Sequence, residues 1–265
     1  MSDLKQRRRR AGLSVNRLIP NAVTLLALCA GMTAIRMALQ GRWEMAVVAV
    51  VVAMILDSLD GRIARMMSAT SDFGAQLDSL SDVINFGVAP ALLVYVWALG
   101  DTGGIGWALA VVFAMCCALR LARFNTELGE ENPPPWASRF FTGVPAPAGA
   151  GLVLLPMTVS FEAGEEIFRS ATLNGIVLLI VAALMISRIP TFSAKRIKVP
   201  RRHVGLVLLA VGAFAAFLVS TPWVMLTCAG ITYLLSIPLA AYSFRRVQRA
   251  EPPAAPPAAP YTKDH

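Results

Sequence analysis

The sequence predicts an all-α polytopic membrane protein with about eight transmembrane helices, and three observations carry that expectation. Of 265 residues, 56% are hydrophobic and only 15% charged, with a mean hydropathy of +0.62, a composition typical of multi-span membrane proteins. Apolar runs close to the ~20 residues that a helix needs to cross the hydrocarbon recur along the chain. Between them, Lys and Arg lie in short clusters that fall on one side when eight spans are threaded. The net charge of +8 therefore suits loops facing anionic headgroups, and no nucleic-acid partner is expected.

In chain order, residues 1–17 are a basic segment (KQRRRR) expected to be disordered and cytoplasmic. The first span covers about residues 18–39 and opens with Pro20-Asn21-Ala22-Val23-Thr24. That opening has the chemistry of a helix start, with Pro in the first turn and an Asn cap. The second span, about 44–65, carries Asp57 and Asp60 near its end, and the third, about 73–99, carries Asp78 and Asp82 near its start. The fourth, about 104–124, ends in Arg120-Leu-Ala-Arg123-Phe-Asn125, whose arginines can snorkel to headgroups.

Pro133-Pro134-Pro135 then stops the helix. The fifth span, about 144–160, contains Gly149 and Gly151 and follows Gly143, glycines expected to allow close helix contact. The sixth covers about 173–186, ahead of a basic loop at 187–203 that holds Lys195, and spans seven and eight cover about 204–219 and 223–244. The domain plan is thus a membrane domain over residues 18–247 and a Pro/Ala-rich disordered tail over 248–265. The clustered charges place both termini and the 57–82 turn in the cytoplasm.

Chemistry concentrates in residues 57–82, DSLDGRIARMMSATSDFGAQLDSLSD. A carboxylate near lipid costs several kcal/mol, so four of them beside apolar spans mark a functional site. Asp57 and Asp60 are spaced i, i+3, and Asp78 and Asp82 i, i+4, so each pair shares a helix face. Two helices joined by the turn at 67–71 can aim all four into one cavity. A divalent cation relieves the repulsion, and oxygen ligands favour Mg²⁺ or Mn²⁺. The four cysteines lack zinc spacing and sit in apolar runs, where they read as core residues. His203, in a basic loop, and His265, the last residue, offer no His-based site, and Walker A and Gly-x-Ser-x-Gly motifs are absent. No cleaved signal peptide is expected.

The stretch resembles the CDP-alcohol phosphatidyltransferases. Their signature D-x2-D-G-x2-A-R-x8-G-x3-D-x3-D is matched by Asp57, Asp60, Gly61, Ala64, Arg65, Gly74, Asp78 and Asp82, with no departure. The resemblance implies a six-helix core with two further helices and a homodimer in the bacterial inner membrane. It implies metal ligation by Asp57, Asp60, Asp78 and Asp82, around two ions, with Asp82 also the general base. It implies that Asn21, Thr24, Gly61, Arg65, Ser71 and Gly74 contact CDP-diacylglycerol. For Asn21 and Thr24 this stands beside the helix-start reading, and for Gly74 beside that of a helix-start glycine.

Outside the signature, residues 73–91, 120–125, 141–148 and 187–195 resemble the serine-accepting branch of the family, with Ile84-Asn85 departing from its usual Val/Ala-Ser. L-serine is thus the expected acceptor, with Arg120, Arg123, Asn125 and Lys195 available to its carboxylate and Asn85 to its ammonium. Snorkelling or capping remains the plainer account of each of these. Glycerol-3-phosphate, inositol phosphate and choline stay open as acceptors. A cation-coupled transporter is the alternative from another class, since such proteins also carry intramembrane carboxylates.

Overall fold

Small residues decide how the first two helices meet. Helix α1 (Val15–Leu39) and helix α2 (Trp43–Met66) form an antiparallel hairpin closed by Gly41, whose φ is +70°. On α1 the buried stripe is Ala27, Ala34 and Ala38, and on α2 it is Ala46, Val47, Ala49, Val50 and Ala53. In lipid, where apolar burial gives no drive between helices, small side chains let backbones approach and gain dispersion contacts. The computed structural model describes residues 15–67, 69, 71–128, 140–192, 205, 209, 212–213, 216–217 and 219–250.

Helix α1 begins before the point expected, so Pro20 lies inside it and Asn21 is not its cap. Helix α3 runs from Asp72 to Thr102 without a break. It widens into π-helical turns at Val83–Val88 and Tyr95–Leu99. Helix α4 (Gly104–Leu128) packs against the first wide turn and against α7. Helix α5 (Ala146–Ala163) starts and ends near the expected fifth span, with a slight break at Leu154 ahead of Pro156. The short α6 (Glu165–Phe168) and α7 (Ala171–Ile186) follow, and α8 (Pro222–Ala250) closes the fold.

Among the described residues one strand pair interrupts this helical architecture. β1 (Phe140–Thr142) runs antiparallel to β2 (Pro190–Phe192), with Phe141 opposite Thr191. It joins the segments before α5 and after α7.

Glycine settles two of the packing contacts. Gly143 has φ +75°, and a methyl there would lie 2.7 Å from the Met185 carbonyl and 2.8 Å from that of Ser187. Gly149 lets α5 settle on Met185, whose Sδ would be 2.8 Å from a methyl. Gly151 does not join them: it faces open space, because it is two residues round the helix from the α7 contact.

Among the described residues five helices have the length and apolarity of membrane spans: α1, α3, α4, α5 and α8. Helix α2 has the length but carries Glu44, Asp57, Asp60, Arg62 and Arg65, and α7 has 16 residues. The seventh expected span, the basic loop holding Lys195, the first 14 residues and the tail lie wholly or largely outside the described residues. Of the cysteines, Cys116 and Cys117 are buried as expected, whereas Cys29 and Cys228 are exposed on the outer helix faces.

Candidate functional site

Ser71 launches the helix that carries half of the site. Its Oγ accepts a hydrogen bond from the Gly74 N–H at 3.1 Å, satisfying one of the free donors of the first turn. Asp72 adds a negative charge beside the positive end of the helix dipole. With the start fixed, Asp78 and Asp82 come up on successive turns and face the end of α2.

Asp57, Asp60 and Asp78 each bring one carboxylate oxygen to within 4.8 Å of the others. Asp60 is the buried member, and its Oδ2 accepts from Thr24 Oγ1 at 2.7 Å. Asp82 stands one turn deeper, within hydrogen-bonding reach of Asp57. Its Oδ1 is buried with no hydrogen-bond partner among the described residues. Three converging carboxylates and a fourth with an orphan oxygen fit a divalent cation: the donors are all oxygen, and close like charges repel without one. Asp57, Asp60 and Asp78 would hold the ion.

A cavity of about 330 Å³ opens beside this cluster between α1, α2 and α3. Its wall includes all six residues expected to contact the donor, namely Asn21, Thr24, Gly61, Arg65, Ser71 and Gly74, and also Asp60 and Asp78. Gly74 is where the wall is tightest, since a methyl there would sit 3.0 Å from Asn21 Oδ1 and 3.1 Å from Ser71 Oγ. A methyl on Gly61 would have Arg65 Nη1 as its neighbour, at 3.6 Å, so the two flank one opening. A larger cavity, about 670 Å³, lies at the other end of α3 beside Trp97, Asp101 and Arg169. It contains none of the expected site residues.

The residues expected to meet the acceptor are not gathered in the same way. Asn125 is exposed and its Nδ2 donates to Ser79 Oγ at 2.8 Å, so it reaches the turn between Asp78 and Asp82. Arg123 Nη1 donates to the Ile186 carbonyl at the end of α7 at 3.4 Å, rather than running free to the headgroups. Arg120 is half-buried on α4. Asn85 is fully buried, donates to Ser81 Oγ at 3.0 Å, and does not line the cavity. The wide turn rotates it inward, away from the face that holds Asp78. Lys195 lies outside the described residues.

Sequence reasoning missed two links. One is the Thr24 hydroxyl on Asp60, and the other is Ser81, which is buried and donates to the Thr24 carbonyl at 3.4 Å. A hydroxyl immediately before Asp82 in a span is the signal that could have found the second.

Comparison with known proteins agrees with this geometry. The family model described as CDP-alcohol phosphatidyltransferase matches residues 17–187, and the model described as CDP-alcohol phosphatidyltransferase 2 matches residues 203–238. A Mycobacterium leprae protein named CDP-diacylglycerol–serine O-phosphatidyltransferase is 37% identical over 90% of this chain and 79% of its own length. A Mycobacterium tuberculosis protein of the same name is 36% identical over 90% of this chain and 82% of its own. A Helicobacter pylori protein, also of that name, is 40% identical over 68% and 74%. With the signature complete in the sequence, six of its eight residues lining one cavity, and the family model covering residues 17–187, the chain belongs to the CDP-alcohol phosphatidyltransferase family.

Proposed function

We propose that this enzyme transfers the phosphatidyl group of CDP-diacylglycerol to the hydroxyl of L-serine, giving phosphatidylserine and CMP. The observation that carries the reading is the single cavity in which six expected donor contacts meet Asp60 and Asp78 of the carboxylate cluster. The serine acceptor is supported by the names of relatives that align over nine-tenths of the chain. Transfer to glycerol-3-phosphate by the same donor chemistry is the second reading, supported by the arginines on α4.

In this reading the diphosphate of the donor lies along the α2–α3 turn. Arg65 offers paired N–H donors to phosphate oxygens, and Gly61 and Gly74 let the nucleotide approach the backbone. Asn21 and Ser71 bound the far wall. The serine oxygen forms a bond to the phosphorus that bears diacylglycerol, the bond from that phosphorus to CMP breaks, and CMP leaves with the electron pair. Asp82 takes the hydroxyl proton, since a positioned carboxylate can act as a general base. Bound at Asp57, Asp60 and Asp78, Mg²⁺ or Mn²⁺ supplies charge neutralisation for the diphosphate, and two ions suit the four-carboxylate set. Arg120, Arg123, Asn125 and Lys195 are the proposed acceptor contacts.

Transport of a cation is disfavoured by where the carboxylates sit. They crowd one helix end, whereas a transport path asks for a site at midplane between repeats. The positive-inside pattern supports a cytoplasmic active site and cytoplasmic termini, in the inner membrane of a bacterium, with eight spans and a homodimer as further parts of the proposal. Purified protein given CDP-diacylglycerol, Mn²⁺ and isotopically labelled serine is expected to form labelled phosphatidylserine in equal amount to CMP. CMP without labelled lipid would contradict the acceptor.

A further inference from the structure

Asn85 is fully buried and does not line the cavity, yet it stands three residues past Asp82 in the wide turn Val83–Val88. Its Nδ2 donates to Ser81 Oγ at 3.0 Å, and Ser81 Oγ donates to the Thr24 carbonyl at 3.4 Å. Because the one Ser81 proton goes to that carbonyl, Ser81 can only accept from Asn85. This fixes which way the amide points. Oδ1 is thereby turned away from Ser81 and has no hydrogen-bond partner among the described residues.

What it meets is Gly31 of α1. A methyl at Gly31 would collide with Asn85 Oδ1 and lie 3.0 Å from Cγ and 3.2 Å from Cα. On its other flank the wide turn rests on α4, where a methyl at Gly87 would be 3.1 Å from Cys117 Cβ. An unpaired buried amide oxygen lowers stability, and π-helical turns recur at functional sites. The arrangement therefore calls for a role other than stability.

We propose that Gly31 and Asn85 form a positioning contact that sets the turn bearing Asp78 and Asp82 against Asp57 and Asp60. Asn85 acts through Ser81, and α1 carries the register to the other arm. The same Thr24 whose carbonyl holds Ser81 donates its hydroxyl to Asp60. The inference rests on the catalytic reading of the carboxylates given above and is independent of which alcohol is the acceptor.

The test compares full-length wild type with Asn85→Ala, Ser81→Ala, Gly31→Ala and the double variant Gly31→Ala/Asn85→Ala. For each, kcat and the serine KM are measured from CMP release, and Mn²⁺ affinity is measured separately by electron paramagnetic resonance titration. A misplacement of this kind is expected to lower kcat about tenfold in Asn85→Ala and Ser81→Ala and about a hundredfold in Gly31→Ala. Serine KM should stay within about twofold, as for an interaction made only in the transition state, while Mn²⁺ binding weakens in each single variant.

Removing the colliding oxygen should return the double variant to the level of Asn85→Ala. Should Gly31→Ala not fold, Asn85→Ala and Ser81→Ala carry the test with the same expectations. Wild-type kcat and Mn²⁺ affinity in those two would overturn the proposal. So would a raised serine KM with unchanged Mn²⁺ affinity in Asn85→Ala, or a double variant no better than Gly31→Ala. If wild type releases no CMP with serine, the acceptor reading fails, and the Mn²⁺ titration still decides the positioning claim.

Discussion

Thr24 Oγ1 donates to Asp60 Oδ2 at 2.7 Å across 36 residues of sequence, from the middle of α1 to the end of α2. Both groups are buried at the wall of the cavity. The hydroxyl holds one oxygen of a carboxylate that belongs to the converging triad with Asp57 and Asp78. Thr24→Val keeps the shape and removes the donor. Mn²⁺ affinity is expected to fall about 10- to 100-fold, the usual cost of losing an outer-shell partner. Unchanged affinity in a folded variant would remove Thr24 from the metal site's support.

The two arms of the cluster should separate in function. Asp57→Asn is expected to weaken metal and CDP-diacylglycerol binding together, because Asp57 belongs to the converging triad. Asp82→Asn is expected to lose turnover by about 10²- to 10⁴-fold, the range for general acid–base catalysis, while largely keeping donor binding. Equilibrium binding of the donor beside CMP-release kinetics checks both. Normal turnover in Asp82→Asn would contradict the base assignment.

The cavity wall makes a sharper steric prediction. Gly74→Ala would place a methyl 3.0 Å from Asn21 Oδ1 and 3.1 Å from Ser71 Oγ, inside the space assigned to the nucleotide and against the helix cap. The donor KM should rise at least about tenfold, within the range of about 1–3 kcal/mol that one extra or missing methylene typically costs a pocket. Gly151→Ala, facing open space, should leave the kinetics unchanged. Equal effects of the two would show that the cavity is not the donor site.

The donor half of the site was legible because it is local. The four site carboxylates, Gly61, Gly74 and Arg65 lie within 26 residues on the ends of two consecutive helices, where helical periodicity and one short turn bring them together. What stayed hidden depends on contacts between distant segments. Pairing of Phe140–Thr142 with Pro190–Phe192 has no local signal in runs so short. Asn85, expected to meet the acceptor's ammonium, is spaced i+3 from Asp82, which shares a face only at 3.6 residues per turn, and the π-helical turn at Val83–Val88 breaks that condition. Pro20-Asn21 read as a helix start because Pro suits a first turn and Asn a cap, yet α1 begins at Val15.

Stability should hinge on Gly143 more than on its helical neighbours. Its φ of +75° and the carbonyls 2.7 and 2.8 Å from a would-be methyl oppose any side chain. Gly143→Ala is expected to cost at least about 1–2 kcal/mol, the penalty of a left-handed non-glycine residue, and to lower the thermal midpoint in detergent. A midpoint equal to wild type would mean that the β1–α5 junction is not held as described.

Metal removal tests the carboxylate cluster as a whole. Chelation should abolish CMP release, and Mn²⁺ or Mg²⁺ should restore it, while Ca²⁺, larger and less demanding of octahedral geometry, should restore it poorly. Full activity after exhaustive chelation would contradict the metal role of Asp57, Asp60 and Asp78.

The most direct measurement is CMP release from CDP-diacylglycerol by purified protein with Mn²⁺, offered serine, glycerol-3-phosphate, inositol phosphate and choline one at a time. Release with serine alone, accompanied by phosphatidylserine, is the result this account predicts. Release with another acceptor and not with serine would contradict it, leaving the donor site in place and removing the acceptor assignments on α4.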